Sequence, residues 1–196
     1  CIFDDANIDL AVKECVKGAW SFNGQRCTAL KVIYVHKNIR KSFLEAFAKA
    51  TDELSWGSPF EDADITPLPE VGKVKYMQSY VEEAVSKGAR VINERGGQVE
   101  GNAFFPAILF PTHRDTAIFR EEQFGPVCPV LEFEDFEEVL TDVAESNYGQ
   151  QVSIFTQDAA AAGQCIDHLV NQVCRVNINA SCPVSYTHLT LPTKWI

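Results

Sequence analysis

Apolar residues recur along this chain with two different periods, and the two alternate. Over residues 5–20, Ile8, Leu10, Ala11, Val12, Val16 and Ala19 fall at the spacing that lays one apolar stripe along a helix, with Asp9 standing near its start. After Asn23-Gly24, a turn signal, the β-branched run 30–35 reads as a buried strand. Helical spacing returns over 39–54 through Phe43, Leu44, Phe47, Ala50 and Leu54, and the segment 55–70, rich in Pro, Gly and Asp, reads as a loop. A second amphipathic helix over 74–87 is closed by Gly88, and a short strand at 91–92 is ended by Gly96-Gly97. The apolar runs 104–110 and 127–133 have strand length; a helix over 136–144, a strand over 152–156, a helix over 159–170 and a strand over 175–178 complete the pattern. Ile2-Phe3 reads as the end of a strand that begins outside the chain.

Strand and helix alternating in this way predict an α/β fold, a layered and largely parallel sheet flanked by helices, with residues 1–182 as one domain. Residues 183–196 (PVSYTHLTLPTKWI) carry neither period and resemble translated adapter read-through, so they are expected to be a non-native tail; an ordinary irregular terminus is the alternative. On the first reading His188 and Trp195 have no functional meaning. With no initiator Met, the chain is expected to start inside a longer protein.

At 46% hydrophobic and 22% charged residues, the 196-residue chain has the balance of a globular core. The 17 Lys+Arg against 27 Asp+Glu leave a net charge of −10, which argues against nucleic acid or an anionic lipid surface as partner. No apolar run approaches the roughly 20 residues that span a bilayer. Seven cysteines without a Cys-x-x-Cys pair or zinc spacing give no metal site and no disulfide framework. They are expected to be small buried packing residues of a cytoplasmic, reducing environment, with one exception. Glu132, Glu134, Asp135, Glu137 and Glu138 read as a helix-start face with Asp135 as cap. His36, His113 and His168 lack a Ser or Asp constellation and read as strand-end or surface residues.

The exception is Cys27. It follows Phe22-Asn23-Gly24-Gln25-Arg26 and precedes an apolar strand, so its thiol can sit on a loop at the mouth of the sheet with backbone N–H groups free to meet a bound group. Arg26 adds positive charge next to the sulfur, a setting that promotes nucleophilic thiols. Such a thiol can attack an electrophilic carbon, and a neighbouring N–H can hold the oxyanion that results.

Gly24-Gln25-Arg26-Cys27-Thr28-Ala29 resembles the active-site cysteine motif of the aldehyde dehydrogenase superfamily. About a hundred residues later, Glu121-Glu122-Gln123-Phe124-Gly125-Pro126-Val127 resembles a second signature of that family. Phe105-Pro106-Ala107-Ile108-Leu109 before it, Asn147-Tyr148-Gly149 after it and the acidic opening 1–10 also resemble family segments, in family order, so the likeness covers about residues 1–181. Gln25-Arg26-Cys27-Thr28-Ala29, Asp64-Ile65-Thr66-Pro67 and Val176-Asn177-Ile178-Asn179 are most similar to the non-phosphorylating, NADP-dependent glyceraldehyde-3-phosphate dehydrogenase group.

The resemblance implies that Cys27 captures an aldehyde as a thiohemiacetal, that hydride passes to a nicotinamide (NADP or NAD), and that the thioester left behind is hydrolysed to an acid. It further implies that Glu122 holds the nicotinamide ribose, that Phe124 packs near the nicotinamide, and that Arg26 grips a substrate phosphate. The partner is then a small-molecule aldehyde, and the parent protein a homo-oligomer. The family's Glu-Leu-Gly-Gly base, its oxyanion-hole Asn, its cofactor domain and its Arg-Gly-Pro-Asp and Pro-Phe-x-Gly elements all lie outside this sequence, so the chain is expected to be inactive alone. Gln150 stands where most of the family has Leu. Two other readings stand beside this one: a structural or assembly domain of the same fold, and an enzyme that transfers the acyl group to coenzyme A.

Overall fold

A computed structural model of the chain describes residues 1–146, 149 and 151–181. The expectations for Asn147, Tyr148, Gln150, Cys182 and the tail 183–196 lie outside the described residues. In chain order the elements are α1 (Ile8–Trp20), a 3-10 turn (Ser21–Gly24), β1 (Ile33–His36), α2 (Arg40–Asp52), α3 (Lys73–Ser86), β2 (Arg90–Val91), β3 (Val99–Glu100), β4 (Ala103–Phe104), β5 (Ala107–Phe110), α4 (Ala117–Arg120), β6 (Val127–Phe133), α5 (Phe136–Glu145), β7 (Gln151–Ile154), α6 (Ala159–Leu169) and β8 (Arg175–Ile178). Among the described residues no helix is long and apolar enough to cross a membrane.

The main sheet runs β1-β6-β5-β2, with β1 and β5 both parallel to β6 and only the edge strand β2 antiparallel. β7 and β8 form a second parallel pair. Ile2 joins the two: it bridges in parallel to Val35 on one side and to Phe155 on the other. Its N–H donates to the Tyr34 carbonyl at 2.8 Å, and Phe3 donates to the Phe155 carbonyl at 3.0 Å. The first three residues thus act as a strand between the two sheets, as the pattern at Ile2-Phe3 anticipates.

Strand residues alternate between two buried faces, the signature of a sheet covered on both sides. Ile33, Val35, Ile108, Cys128 and Val130 face the core shared with α1 and α2. Ala107, Leu109 and Val127 face α3, and Tyr34, Leu131 and Phe133 face Val139 of α5. Trp20 and Phe47 stack at 6.0 Å between α1 and α2, and the Trp20 indole N–H donates to Thr51 Oγ1 at 3.0 Å, so the ring is buried with its polar edge satisfied.

Several details differ from the sequence pattern. α1 is capped by Asn7, whose side chain accepts from the Leu10 N–H, while Asp9 sits inside the first turn. The run 104–110 is two strands, because Pro106 has no N–H to continue a ladder; residues before it pair with β3 and residues after it with β6. β1 starts at Ile33 and not at residue 30. The hairpin of β3 and β4 and the single turn α4 carry no periodic signal. Asp135 caps α5 in a capping box with Glu138, as expected. Of the thiols, Cys15, Cys128 and Cys165 are buried, and burial pushes the Cys15 thiol up to about 12. Cys174, expected as a packing residue, is instead exposed in the loop before β8.

Asp5 fastens the N-terminal segment to the start of α6. Its carboxylate accepts from the Thr156 hydroxyl and from the Gln157 and Asp158 N–H groups, each at 2.8 Å. Burial opposes the charge, but these bonds outweigh it and hold the Asp5 pKa below the ordinary value. A carboxyl with a lowered folded pKa stabilises the fold above the unfolded pKa and loses that effect as pH falls through the folded one. Asp5→Ala is expected to cost about 1–3 kcal/mol in urea unfolding at pH 7. The gap between the two proteins should narrow below about pH 4.

Candidate active site

Three consecutive residues after α1 are left-handed: Phe22 (φ 55°), Asn23 (φ 55°) and Gly24 (φ 67°). For Phe22 and Asn23 this conformation is costly, so outside contacts must hold it. Asn23 is held from both ends of its amide: its Nδ2 donates to Thr66 Oγ1 and its Oδ1 accepts from the Thr66 N–H, both at 3.1 Å. Gly24 is required for a second reason. A Cβ there would lie 2.7 Å from the Gly125 carbonyl oxygen and 2.9 Å from that of Ala19. The turn that leads to Cys27 therefore rests directly on the backbone of the Glu121–Val127 segment.

That segment is equally constrained. Phe124 has φ 40°, and a Cβ on Gly125 would meet Met77 Sδ of α3 at 2.3 Å. The exposed Glu121 accepts from the Tyr80 hydroxyl at 2.7 Å and from Tyr76 at 3.3 Å, which ties the segment to α3. Buried Gln123 donates to the Val127 carbonyl at 2.6 Å and the Lys31 carbonyl at 3.4 Å.

A cavity of about 590 Å³ is lined by Cys1 and Ile2, by Val32 with Ile33 and Tyr34 of β1, and by Gln151 to Ser153 of β7. It takes in Cys27, Lys31, Glu122 and Phe124. The sequence-predicted Cys27, Glu122 and Phe124 therefore meet at one opening. Cys27 is exposed, and among the described residues its backbone N–H has no hydrogen-bond acceptor. Arg26, the fourth predicted residue, is not among the lining residues. Its guanidinium donates to the Lys17 and Gly18 carbonyls at the end of α1, at 3.2 and 3.1 Å, and so ties the Cys27 turn to that helix.

Lys31 was not singled out from the sequence. It is 9% exposed, donates from Nζ to the Gly24 carbonyl at 3.1 Å, and sits 4.3 Å over the Phe124 ring. Burial pushes its pKa down to about 8, against the opposing pull of Glu122. The signal for it was a lysine inside an otherwise apolar strand run, Leu30 to Val35. The Asn23–Thr66 lock and the Tyr76–Tyr80–Glu121 cluster had no such signal, because they join residues 41 to 45 positions apart in loops and helix faces.

Residues 1–191 match the profile of the Aldehyde dehydrogenase family. The NADP-dependent glyceraldehyde-3-phosphate dehydrogenase of Pisum sativum is 34% identical over 176 residues, covering 90% of this chain and 35% of the pea protein. That of Streptococcus equinus is 35% identical over 179 residues, covering 91% of this chain and 37% of its own. The crystal structure of the Bacillus halodurans NADP-dependent glyceraldehyde-3-phosphate dehydrogenase complexed with NADP superposes with a TM-score of 0.87 at 34% identity, over 92% of this chain and 37% of that one. The chain thus spans little more than a third of the length of these relatives.

Gly24→Ala is expected to cost about 2–4 kcal/mol, since it adds left-handed strain to a backbone collision. Gly72 is a control: it is also left-handed, at φ 83°, but has nothing within 4 Å of an added Cβ. Gly72→Ala should cost only about 1 kcal/mol. Thermal unfolding of the two variants measures the difference.

Proposed function

The chain belongs to the aldehyde dehydrogenase family, and from that premise we propose that it carries the nucleophile and part of the nicotinamide-binding surface of a longer NAD(P)-dependent enzyme. The proposed reaction oxidises a small aldehyde to a carboxylic acid, with glyceraldehyde 3-phosphate as substrate and 3-phosphoglycerate as product. The observation that carries this is the convergence of Cys27, Glu122 and Phe124 on one cavity.

An aldehyde carbon releases hydride readily only once a nucleophile has made it tetrahedral. Cys27 Sγ would supply that nucleophile, forming a C–S bond as the carbonyl oxygen becomes an oxyanion, with the Cys27 N–H positioned to donate to it. The site suits a nicotinamide nucleotide chemically: Glu122 offers a carboxylate to ribose hydroxyls, and Phe124 an aromatic face to the ring. When bound, that cofactor accepts hydride from the captured carbon. The thioester that remains on Cys27 is cleaved by water to the acid, and the thiol is regenerated. Arg26 is assigned to the substrate phosphate, a charged acceptor that a guanidinium binds more strongly than a neutral carbonyl such as that of Lys17 or Gly18.

Two measurements test this reading. In the chain itself, Cys27 should react with iodoacetamide about tenfold or more faster near neutral pH than the exposed Cys174. Equal rates would favour a structural domain of the same fold. In the longer protein, Cys27→Ser should abolish aldehyde oxidation and leave cofactor binding intact. Arg26→Ala should raise the KM for the phosphorylated aldehyde roughly tenfold, without changing that for glyceraldehyde.

A further inference from the structure

We propose that Lys31 is a positioning residue for the cofactor-facing part of the site, its ammonium holding the Phe124 ring and the Cys27 turn in place together. The role rests on the cofactor contacts proposed above for Glu122 and Phe124. The Lys31 side chain bridges the two halves of the site. Its Nζ donates at 3.1 Å to the carbonyl of Gly24, in the turn that leads to Cys27, and lies 4.3 Å from the centre of the Phe124 ring. Phe124 is at φ 40°, a conformation its own backbone disfavours, so contacts made by the ring help to keep it there. A cation over an aromatic face is such a contact, and it gains strength away from water; Lys31 is buried.

Packing alone does not account for a lysine at this position. A methionine would fill the space beside the ring without the cost of burying a charge. Among the described residues no carboxylate stands within ion-pair distance of the ammonium either. What the charge adds over a methionine is attraction to the ring face and a donor for Gly24. The groups whose charge reaches it come from several elements. Glu122 on the 121–127 segment favours the ammonium; Lys73 on α3 and Arg26 on the Cys27 turn oppose it. Cys128 on β6 is held as the neutral thiol, since burial raises its pKa. Cys27, Arg114, Arg120, Asp142 and Glu145 line the same cavity. Burial dominates and brings the Lys31 pKa down to about 8. Above that pH the amine is neutral and its attraction to the ring is lost, so ring placement and cofactor affinity should follow one titration. A lysine that only packs has no such linkage.

Two measurements test the role. In the chain with 13C-labelled lysine and phenylalanine, the Lys31 and Phe124 resonances are identified by their loss in Lys31→Arg and Phe124→Leu. Cross-relaxation between the Lys31 Hε and Phe124 ring protons is expected at pH 7 and should fall as Lys31 titrates, with a midpoint of about 8. In the longer protein, carrying Cys27→Ser so that this thiol does not titrate, NADPH binding is followed by the fluorescence of the nucleotide. Its dissociation constant is expected to rise roughly threefold to tenfold between pH 7 and pH 9. Lys31→Arg, which stays charged, should remove that rise, and Lys31→Met should bind at pH 7 as weakly as the unsubstituted protein does at pH 9. An equal rise in Lys31→Arg, or ring contacts that persist unchanged while Lys31 loses its proton, overturns the role. Should Lys31→Met not fold, the Lys31→Arg comparison and the ring contacts still decide. NADPH that fails to bind at any pH overturns the cofactor reading itself, whereas binding that does not change with pH overturns the role of Lys31 alone.

Discussion

The arrangement depends on one close approach, that of Gly24 to the carbonyl of Gly125. No side chain fits between them, since a Cβ on Gly24 would stand 2.7 Å from that oxygen. Because the two backbones touch, the turn bearing Cys27 and the segment bearing Glu122 and Phe124 are placed relative to each other with almost no freedom. The contacts around this point reinforce it. Asn23 locks the turn to Thr66, Lys31 reaches from the approach to β1 to the Gly24 carbonyl, and Gln123 holds the Lys31 carbonyl in return. Met77 packs so closely on Gly125 that α3 supports the same point from the opposite side.

The cavity needs a second constraint, because its walls belong to different sheets. β1 is paired with β6, and β7 with β8; Ile2, fully buried, is the bridge between the pairs. Backbone pairing at Ile2 joins the strands near their C-terminal ends, and residues 32–34 and 151–153 line the cavity on either side. Asp5 secures the same segment to the start of α6. Residues 1–5 thus tie the two strand pairs and α6 together.

Much of this could be read from the sequence, and the divisions have physical reasons. Helices and full-length strands follow the apolar period, because both faces of the sheet are buried and each element must show a core its hydrophobic side. The period fails where backbone chemistry intervenes: Pro106 divides one apolar run, and the approach to β1 at residues 30–32 gives its hydrogen bonds to α1 and to the site instead of to a neighbouring strand. Cys27, Glu122 and Phe124 were legible because local motif and chain order carry them. The orientation of Arg26 was not, because a guanidinium at the mouth of a turn can reach a helix end or a ligand with equal ease, and only the fold puts the Lys17 and Gly18 carbonyls within reach. Cys174 misled for a related reason: composition says that cysteine is usually buried, but burial is decided by where a short loop meets solvent.

The exceptions to ordinary packing are concentrated rather than scattered. Around the Gly24–Gly125 contact are two non-glycine residues of the turn at positive φ, a third at Phe124, a buried lysine without an ion pair among the described residues, and a buried Gln123 whose Oε1 has no partner there. Elsewhere the core is aromatic and aliphatic, with its polar members satisfied, as Trp20 is by Thr51 and Asn93 by Pro106 and Ile108. Each exception destabilises the fold, and their independent occurrence within one small volume has no structural benefit to explain it. Strain gathered at one place, held there by contacts from α1, α3 and the 55–70 loop, is what a site selected for chemistry is expected to show. The proposed site therefore coincides with the part of the fold where three of the four positive-φ non-glycine residues among the described residues lie, an observation independent of the likeness of its motifs.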